Sequence, residues 1–185
     1  MKKIKLNSTD LNKIKIDNIT IPVQEHVHGG TYVGERKDGK MHGEGTYFYK
    51  DGSKYIGQWQ NDKMNGEGTH TWTCGEKYIG EWQNDLKHGY GIYTWPDGEK
   101  YIGQWQNDVK SGEGTYTWSY GDTYVGQWQN DLRHGEGIHT WPDGEKYIGQ
   151  WVNDKKEGTG MYICADGTVY IGEFKDDILV KQLNS

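Results

Sequence analysis

Seven histidines, two cysteines and 27 carboxylates are the side chains from which a nucleophile, an acid–base pair or a metal centre would be assembled. His42, His88 and His134 share one loop column at 46-residue spacing. If each 23-residue unit is two paired strands, successive members lie about 19 Å apart. Metal ligands sit about 2 Å from their ion, so these three cannot share one. His26-Val27-His28 offers two ligands, but no cysteine or carboxylate follows at metal-site spacing. Cys74 and Cys164 occupy different columns, roughly 38 Å apart along such an array and far beyond the ~7 Å limit for a disulfide. Unpaired thiols suit a reducing compartment.

The carboxylates recur in loops (Asp62, Asp85, Asp108, Asp131, Asp154) and at turns (Asp51, Asp97, Asp143, Asp166). Asp bonds nearby backbone amides in turns, which accounts for both sets. A catalytic dyad occurs once in a chain, whereas these occur once per unit. The Gly-x-Gly pairs open no helix and are not a nucleotide fingerprint. No catalytic residue, metal site or cofactor is expected, and the reading is of a protein that is not an enzyme.

What recurs instead is a scaffold. Tyrosine returns every 23 residues, at Tyr32, Tyr55, Tyr78, Tyr101, Tyr124, Tyr147 and Tyr170, with glycine two residues on at Gly34 through Gly172. Two further on stand Trp59, Trp82, Trp105, Trp128 and Trp151, with Arg36 and Phe174 at the ends of the column. A second column holds Trp72, Trp95, Trp118 and Trp141, flanked by Tyr49 and Cys164, so all nine tryptophans fall in two columns. Periodicity of this kind marks a repeat architecture.

One unit runs Lys54–Trp59, a loop Gln60–Gly66, then Glu67–Trp72 and a turn. Both six-residue runs alternate with period two, which is a strand signal. The turns Pro96-Asp97-Gly98 and Pro142-Asp143-Gly144 combine a preset φ with a residue that accepts positive φ, so the chain reverses there. Alternation puts Tyr55, Gly57, Trp59, Gly68, His70 and Trp72 on one face and Ile56, Gln58, Thr69 and Thr71 on the other. Glycine within a strand marks close approach, so a ring can cover its neighbour's bare backbone and a single layer can bury a core. The predicted fold is all-β: an elongated single-layer antiparallel sheet of stacked hairpins, a rod or curved trough about 60–70 Å long.

Composition agrees. A mean hydropathy of −1.01 leaves no thick aliphatic core, yet 9 Trp and 14 Tyr exclude a disordered chain. A net charge of −6 argues against nucleic acid as a partner. No apolar run approaches a membrane span and none follows Met1-Lys2-Lys3, so the cytoplasm is expected.

Tyr32-Val-Gly-Glu, Tyr55-Ile-Gly-Gln-Trp59 and Tyr101-Ile-Gly-Gln-Trp105, with His88-Gly-Tyr-Gly91 and His134-Gly-Glu-Gly137, resemble MORN (membrane occupation and recognition nexus) repeats. The resemblance covers about 30–178 and implies a scaffold or adaptor with a groove lined by repeat aromatics, associated with membrane, cytoskeleton or helical peptides. Arg36, Cys164 and Lys181 depart from the pattern. The domains are then an N-terminal cap with a degenerate half repeat (1–29), an array of about six repeats and a half (30–177), and a closing segment (178–185).

Two functions follow as expectations. The first is a protein partner, an extended peptide or amphipathic helix, held on the ring face by Tyr55, Trp59, Trp72, Tyr78, Trp82, Trp95, Tyr101, Trp105, Trp118, Tyr124, Trp128, Trp141, Tyr147 and Trp151. The competing use of these rings is packing between hairpins. The second is attachment to anionic phospholipid through Lys2, Lys3, Lys5, Lys13 and Lys15, or through the column Lys54, Lys77, Lys100 and Lys146, which has Glu76, Glu99 and Glu145 beside it. The chain is expected as a monomer or an end-to-end homodimer, with Ile178–Leu183 as closing strand or joint.

Overall fold

The computed structural model describes residues 29–183 and three short strands before them, β1 (Lys15–Ile16), β2 (Ile19–Thr20) and β3 (Glu25–Val27). Lys2, Lys3, Lys5 and Lys13, and the side chain of Lys15, lie outside the described residues. β1 pairs with β2 in a sheet of two strands.

All other described strands form one sheet of fifteen in strict chain order. It runs from β3 through β4 (Gly30–Lys37), β5 (Lys40–Phe48), β6 (Lys54–Gln60), β7 (Lys63–Thr71), β8 (Lys77–Gln83), β9 (Leu86–Thr94) and β10 (Lys100–Gln106). It continues with β11 (Val109–Thr117), β12 (Thr123–Gln129), β13 (Leu132–Thr140), β14 (Lys146–Val152), β15 (Lys155–Ile163), β16 (Val169–Lys175) and β17 (Ile178–Gln182). Every neighbouring pair is antiparallel, and β17 closes the array against β16.

Two kinds of connection alternate. Asn61 and Asp62 take φ of 52° and 69°, a type I′ turn, and Asn-Asp pairs repeat it at 84–85, 107–108, 130–131 and 153–154. Such two-residue turns match the twist of the flanking strands. The expected loop Gln60–Gly66 is therefore mostly strand: β7 begins at Lys63, and His42, His88 and His134 lie on β5, β9 and β13 rather than in loops. The other connection, as in Trp72–Glu76, is closed by the Trp72 amide donating to the Glu76 carbonyl at 2.9 Å, with Gly75 at φ +93°.

Between these turns each hairpin carries a bulge. Gly57 pairs with Gly68 but Trp59 pairs with Met64, so β7 holds extra residues around Gly66 (φ +90°). A bulge sharpens the local twist and leaves a backbone carbonyl pointing inward, which the tyrosine column satisfies. Tyr55 Oη donates to the Gln58 carbonyl at 3.1 Å, and Tyr78, Tyr101 and Tyr124 repeat the bond at 3.0 Å.

The five tyrosines from Tyr55 to Tyr147 and Tyr32 before them are 0% exposed, although only one layer of backbone exists. The reason lies in the glycine pairs. A Cβ on Gly91 would come within 2.5 Å of Cε2 and Cζ of Tyr78, so glycine is what lets the ring lie flat across the strand pair. The Trp59 column then stands edge-on to these rings. Trp59 meets Tyr55 of its own unit at 5.0 Å and 87°, and Tyr32 of the preceding unit at 5.6 Å and 82°. Its indole Nε1 donates to the Gly45 carbonyl at 3.3 Å. Edge-to-face pairs add about 0.5–1.5 kcal/mol beyond the area they bury, and here one pair links each unit to the next.

The loop aspartates add a further link between units. Asp62 Oδ1 accepts from the Met41 amide at 2.8 Å, while its own amide donates to the Met41 carbonyl at 3.1 Å. Asp85, Asp108, Asp131, Asp154 and Asp177 repeat this 21 residues back. The local-turn explanation holds for Asp51, Asp97, Asp143 and Asp166, whose carboxylates accept from amides two residues on. For the loop set it is replaced by stitching of neighbouring repeats.

Candidate functional site

The ring face is built in layers. At its base lie the Tyr55 and Trp59 columns: the tyrosines from Tyr32 to Tyr147 are fully buried and Trp59, Trp82, Trp105, Trp128 and Trp151 are all 6% exposed or less, while Tyr170 at the end of the array is 39% exposed. Tyr55, Tyr78, Tyr101, Tyr124 and Tyr147 and these five tryptophans therefore offer a partner almost no surface. The second Trp column behaves differently: Trp72, Trp95, Trp118 and Trp141 are half-buried and pack on the core from one side. Of the fourteen rings expected on this face, only these four keep appreciable exposed surface.

A third ring column, not singled out by the sequence reading, supports them. Tyr47, His70, Tyr93, Tyr116, His139 and Tyr162 again follow at 23-residue spacing, and all but Tyr162 are buried. Each indole lies between two of these rings: Trp95 is 4.4 Å from Tyr93 and 5.5 Å from Tyr116, and Trp118 is 4.6 Å from Tyr116 and 5.3 Å from His139. The indoles are thus held in position before any ligand arrives.

Charge is arranged around them in two further columns. Glu76, Glu99, Asp122 and Glu145 each take a hydrogen bond from the third ring column: Tyr93 Oη to Glu76 at 2.5 Å, Tyr116 to Glu99, His139 Nε2 with Asp122 at 2.8 Å, and Tyr162 to Glu145. Opposite them stand Lys87, Lys110, Arg133 and Lys156, continued by Met41 and Met64 at one end and Leu179 at the other. These cations sit over ring faces. Lys110 Nζ is 4.5 Å from the Trp128 centroid and 4.8 Å from Tyr116, and Arg133 Cζ is 4.3 Å from Trp151. Burial holds Lys110 and Lys156 below the usual lysine range, partly offset by Asp131 and Asp177 respectively. Desolvated cation–π contacts of this kind are worth about 2 kcal/mol.

His70 has no carboxylate of this row. The position that holds Glu76 in the next unit is Ser53 here, whose amide and hydroxyl both donate to Asp51. His70 Nδ1 is buried without a hydrogen-bond partner, and burial lowers its pKa to about 4. The same burial lowers His139, against the opposing pull of its bond to Asp122.

Along the strip, a cleft of about 380 Å³ opens between Trp118, Tyr120, Asp122, Arg133, Trp141 and Lys156, with Tyr120 strongly exposed at its rim. Among the described residues no group of three or more His, Cys, Asp or Glu could hold a metal ion, and no helix is long and apolar enough to cross a membrane. Cys74 and Cys164 are both free thiols.

The MORN repeat model matches at residues 32–54, 55–75, 78–100, 101–123, 124–146 and 147–169. The chain belongs to the MORN repeat family. No curated protein matches its sequence. Among solved structures it is similar to the SAS-4 (dCPAP) TCP domain of Drosophila melanogaster in complex with a proline-rich motif of Ana2 (dSTIL). The identity is 9% and the TM-score 0.47, over 94% of this chain and 99% of that one. The TCP10 domain of Danio rerio CPAP in complex with a STIL peptide follows at 14% identity and a TM-score of 0.29, covering 88% and 99%. At these scores the likeness does not reach function. In this MORN array the six matched repeats carry four indole–cation–carboxylate sets, in the stretch from Trp72 to Lys156.

Proposed function

We propose that this MORN array is a non-catalytic scaffold that holds a protein partner, an amphipathic helix or an extended peptide, along the strip of Trp72, Trp95, Trp118 and Trp141. The observation that carries this reading is the partial exposure of these four indoles in a chain whose other five are buried. A row of rigid rings, fixed by neighbours on both sides, costs little entropy to use, and Trp and Arg dominate binding hot spots. The flanking rows give the partner a direction. Cations at Lys87, Lys110, Arg133 and Lys156 favour acidic side chains on one edge, and carboxylates at Glu76, Glu99 and Glu145 favour basic ones on the other.

The test is binding of a partner recovered by crosslinking through the strip and then remade as a purified peptide. Trp118→Ala and Arg133→Ala should each weaken it at least tenfold, as expected of hot-spot truncations. Unchanged affinity in both variants would put the partner elsewhere.

A further inference from the structure

The opposite face of the sheet carries three parallel rows. The middle one is mainly apolar, interrupted by Thr46, Thr69 and Thr115, and runs from Val33 on β4 to Ile171 on β16 through directly paired residues, among them Ile79↔Ile92, Ile92↔Ile102 and Ile138↔Ile148. Nothing in the sheet covers it: Ile56, Ile79 and Val125 are 46%, 42% and 50% exposed. Two residues along each strand on one side lies a row containing Lys54, Lys77, Lys100 and Lys146, interspersed with threonines paired to them, such as Thr71 and Thr94. On the other side lies a row containing Glu44, Glu67, Glu113 and Glu136. One edge of the apolar stripe is thus basic and the other acidic along most of the array.

We propose that this face binds a second copy of the chain, back to back and with the two arrays parallel. The charge pattern selects the arrangement. Rotation by 180° about the axis of the apolar row lays each lysine row over the partner's glutamate row. The other two-fold arrangement, with the arrays antiparallel, sets lysine against lysine and glutamate against glutamate, and like-charge juxtaposition excludes it. In the parallel arrangement Lys77 lies over the partner's strand β8, within one strand spacing of Glu67 on β7, and Lys100 lies likewise beside Glu113. The contact is isologous and closes at two copies.

The area is sufficient. Between the outermost strands and rows, twelve strand spacings of about 4.8 Å and two row spacings of about 6.8 Å enclose roughly 800 Å² per copy, the amount each partner contributes to a standard stable interface. Strands perpendicular to the long axis let two sheets with the same twist stack about 10 Å apart over their whole length. The ring strip stays on the outside of both copies, so this assembly and the proposed partner site are independent of each other.

Sedimentation velocity on the full chain tests this. The wild type should sediment as a dimer at about 50 µM, within the range a standard-sized interface supports. Ile79→Lys with Ile102→Lys, both at solvent-facing positions, should raise the dissociation constant at least tenfold without lowering the thermal midpoint of the diluted monomer. Lys77→Glu with Lys100→Glu should do the same, as should Glu67→Lys with Glu113→Lys, and mixing these two charge variants should restore a heterodimer. Ile56→Cys, in a Cys74→Ser, Cys164→Ser background, should be joined to its own counterpart by a short bis-thiol crosslinker, because residues of the middle row meet themselves across a parallel axis and a sheet spacing of about 10 Å is too wide for a direct disulfide. A wild type that stays monomeric at this concentration would overturn the proposal. So would a dimer that ignores the isoleucine and charge changes, or one that is broken instead by Val180→Lys on the exposed strand β17.

Discussion

Acidification should destabilise this array, and a measurable part of the loss should trace to His70. His70 is 6% exposed and burial lowers its pKa from an ordinary 6.5 to about 4. The folded state therefore keeps His70 neutral where the unfolded chain has already bound a proton. Above pH 6.5 both states are neutral and the residue contributes no pH dependence. As pH falls from 6.5 towards 4 stability is lost progressively, and below 4 the loss is complete. At pH 5 the separation from 6.5 is 1.5 units, which at 1.36 kcal/mol per unit is about 2 kcal/mol. His70→Phe keeps the ring between Tyr49 at 5.3 Å and Trp72 at 4.1 Å but removes the titration and the unpartnered Nδ1. Urea unfolding of wild type and variant at pH 7 and pH 5, followed by tryptophan fluorescence, isolates this term because all carboxylates are common to both. The variant should lose about 2 kcal/mol less than the wild type over that interval. Equal losses would mean that His70 is hydrated, and would refute the argument that a single layer of rings excludes water.

Other perturbations separate the layers of the ring face. Gly91→Ala should cost more than 2 kcal/mol in the same urea assay, since its Cβ would meet the ring of Tyr78 and the ring cannot move without uncovering the strand pair. Trp105→Ala, at a buried indole, should cost about 3–5 kcal/mol, whereas Trp118→Ala should cost clearly less and act mainly on partner affinity. Asp108→Ala removes the acceptor of the Lys87 amide and places alanine at a φ of +72°, so a loss of about 2 kcal/mol is expected. Asp108→Asn tolerates that φ and keeps one oxygen, and should recover most of the loss.

The two faces of the sheet were legible in the sequence because alternation is local: Tyr55, Gly57 and Trp59 can point one way only if Ile56 and Gln58 point the other. The paired glycines likewise announced that a ring would lie across bare backbone. What stayed hidden depends on register across strands. Lys63 to Gly66 read as loop because alternation breaks at the bulge, although Asn61-Asp62 is a sufficient signal for a two-residue turn. The third ring column was disguised by its alternation of Tyr and His, and Glu76, Glu99 and Glu145 were read only as neighbours of lysine. Their 23-residue match to Tyr93, Tyr116 and Tyr162 was present in the sequence, as was the swap of Glu for Asp where Tyr becomes His139. The division of nine tryptophans into buried and half-exposed sets could not be read at all, because both columns share one face and differ only in what stands above them.

The strip of partly exposed indoles is the proposed seat of the partner. A photo-crosslinking phenylalanine placed at position 118, and separately at position 102, tests it most directly when each protein is irradiated in its native cell and the adducts are identified by mass spectrometry. Position 118 should yield a discrete adduct with a different protein, lost on Arg133→Ala, while position 102 on the opposite face yields adducts with this chain alone. Adducts with other proteins from position 102, and none from position 118, would place the partner on the opposite face and not on the indole strip.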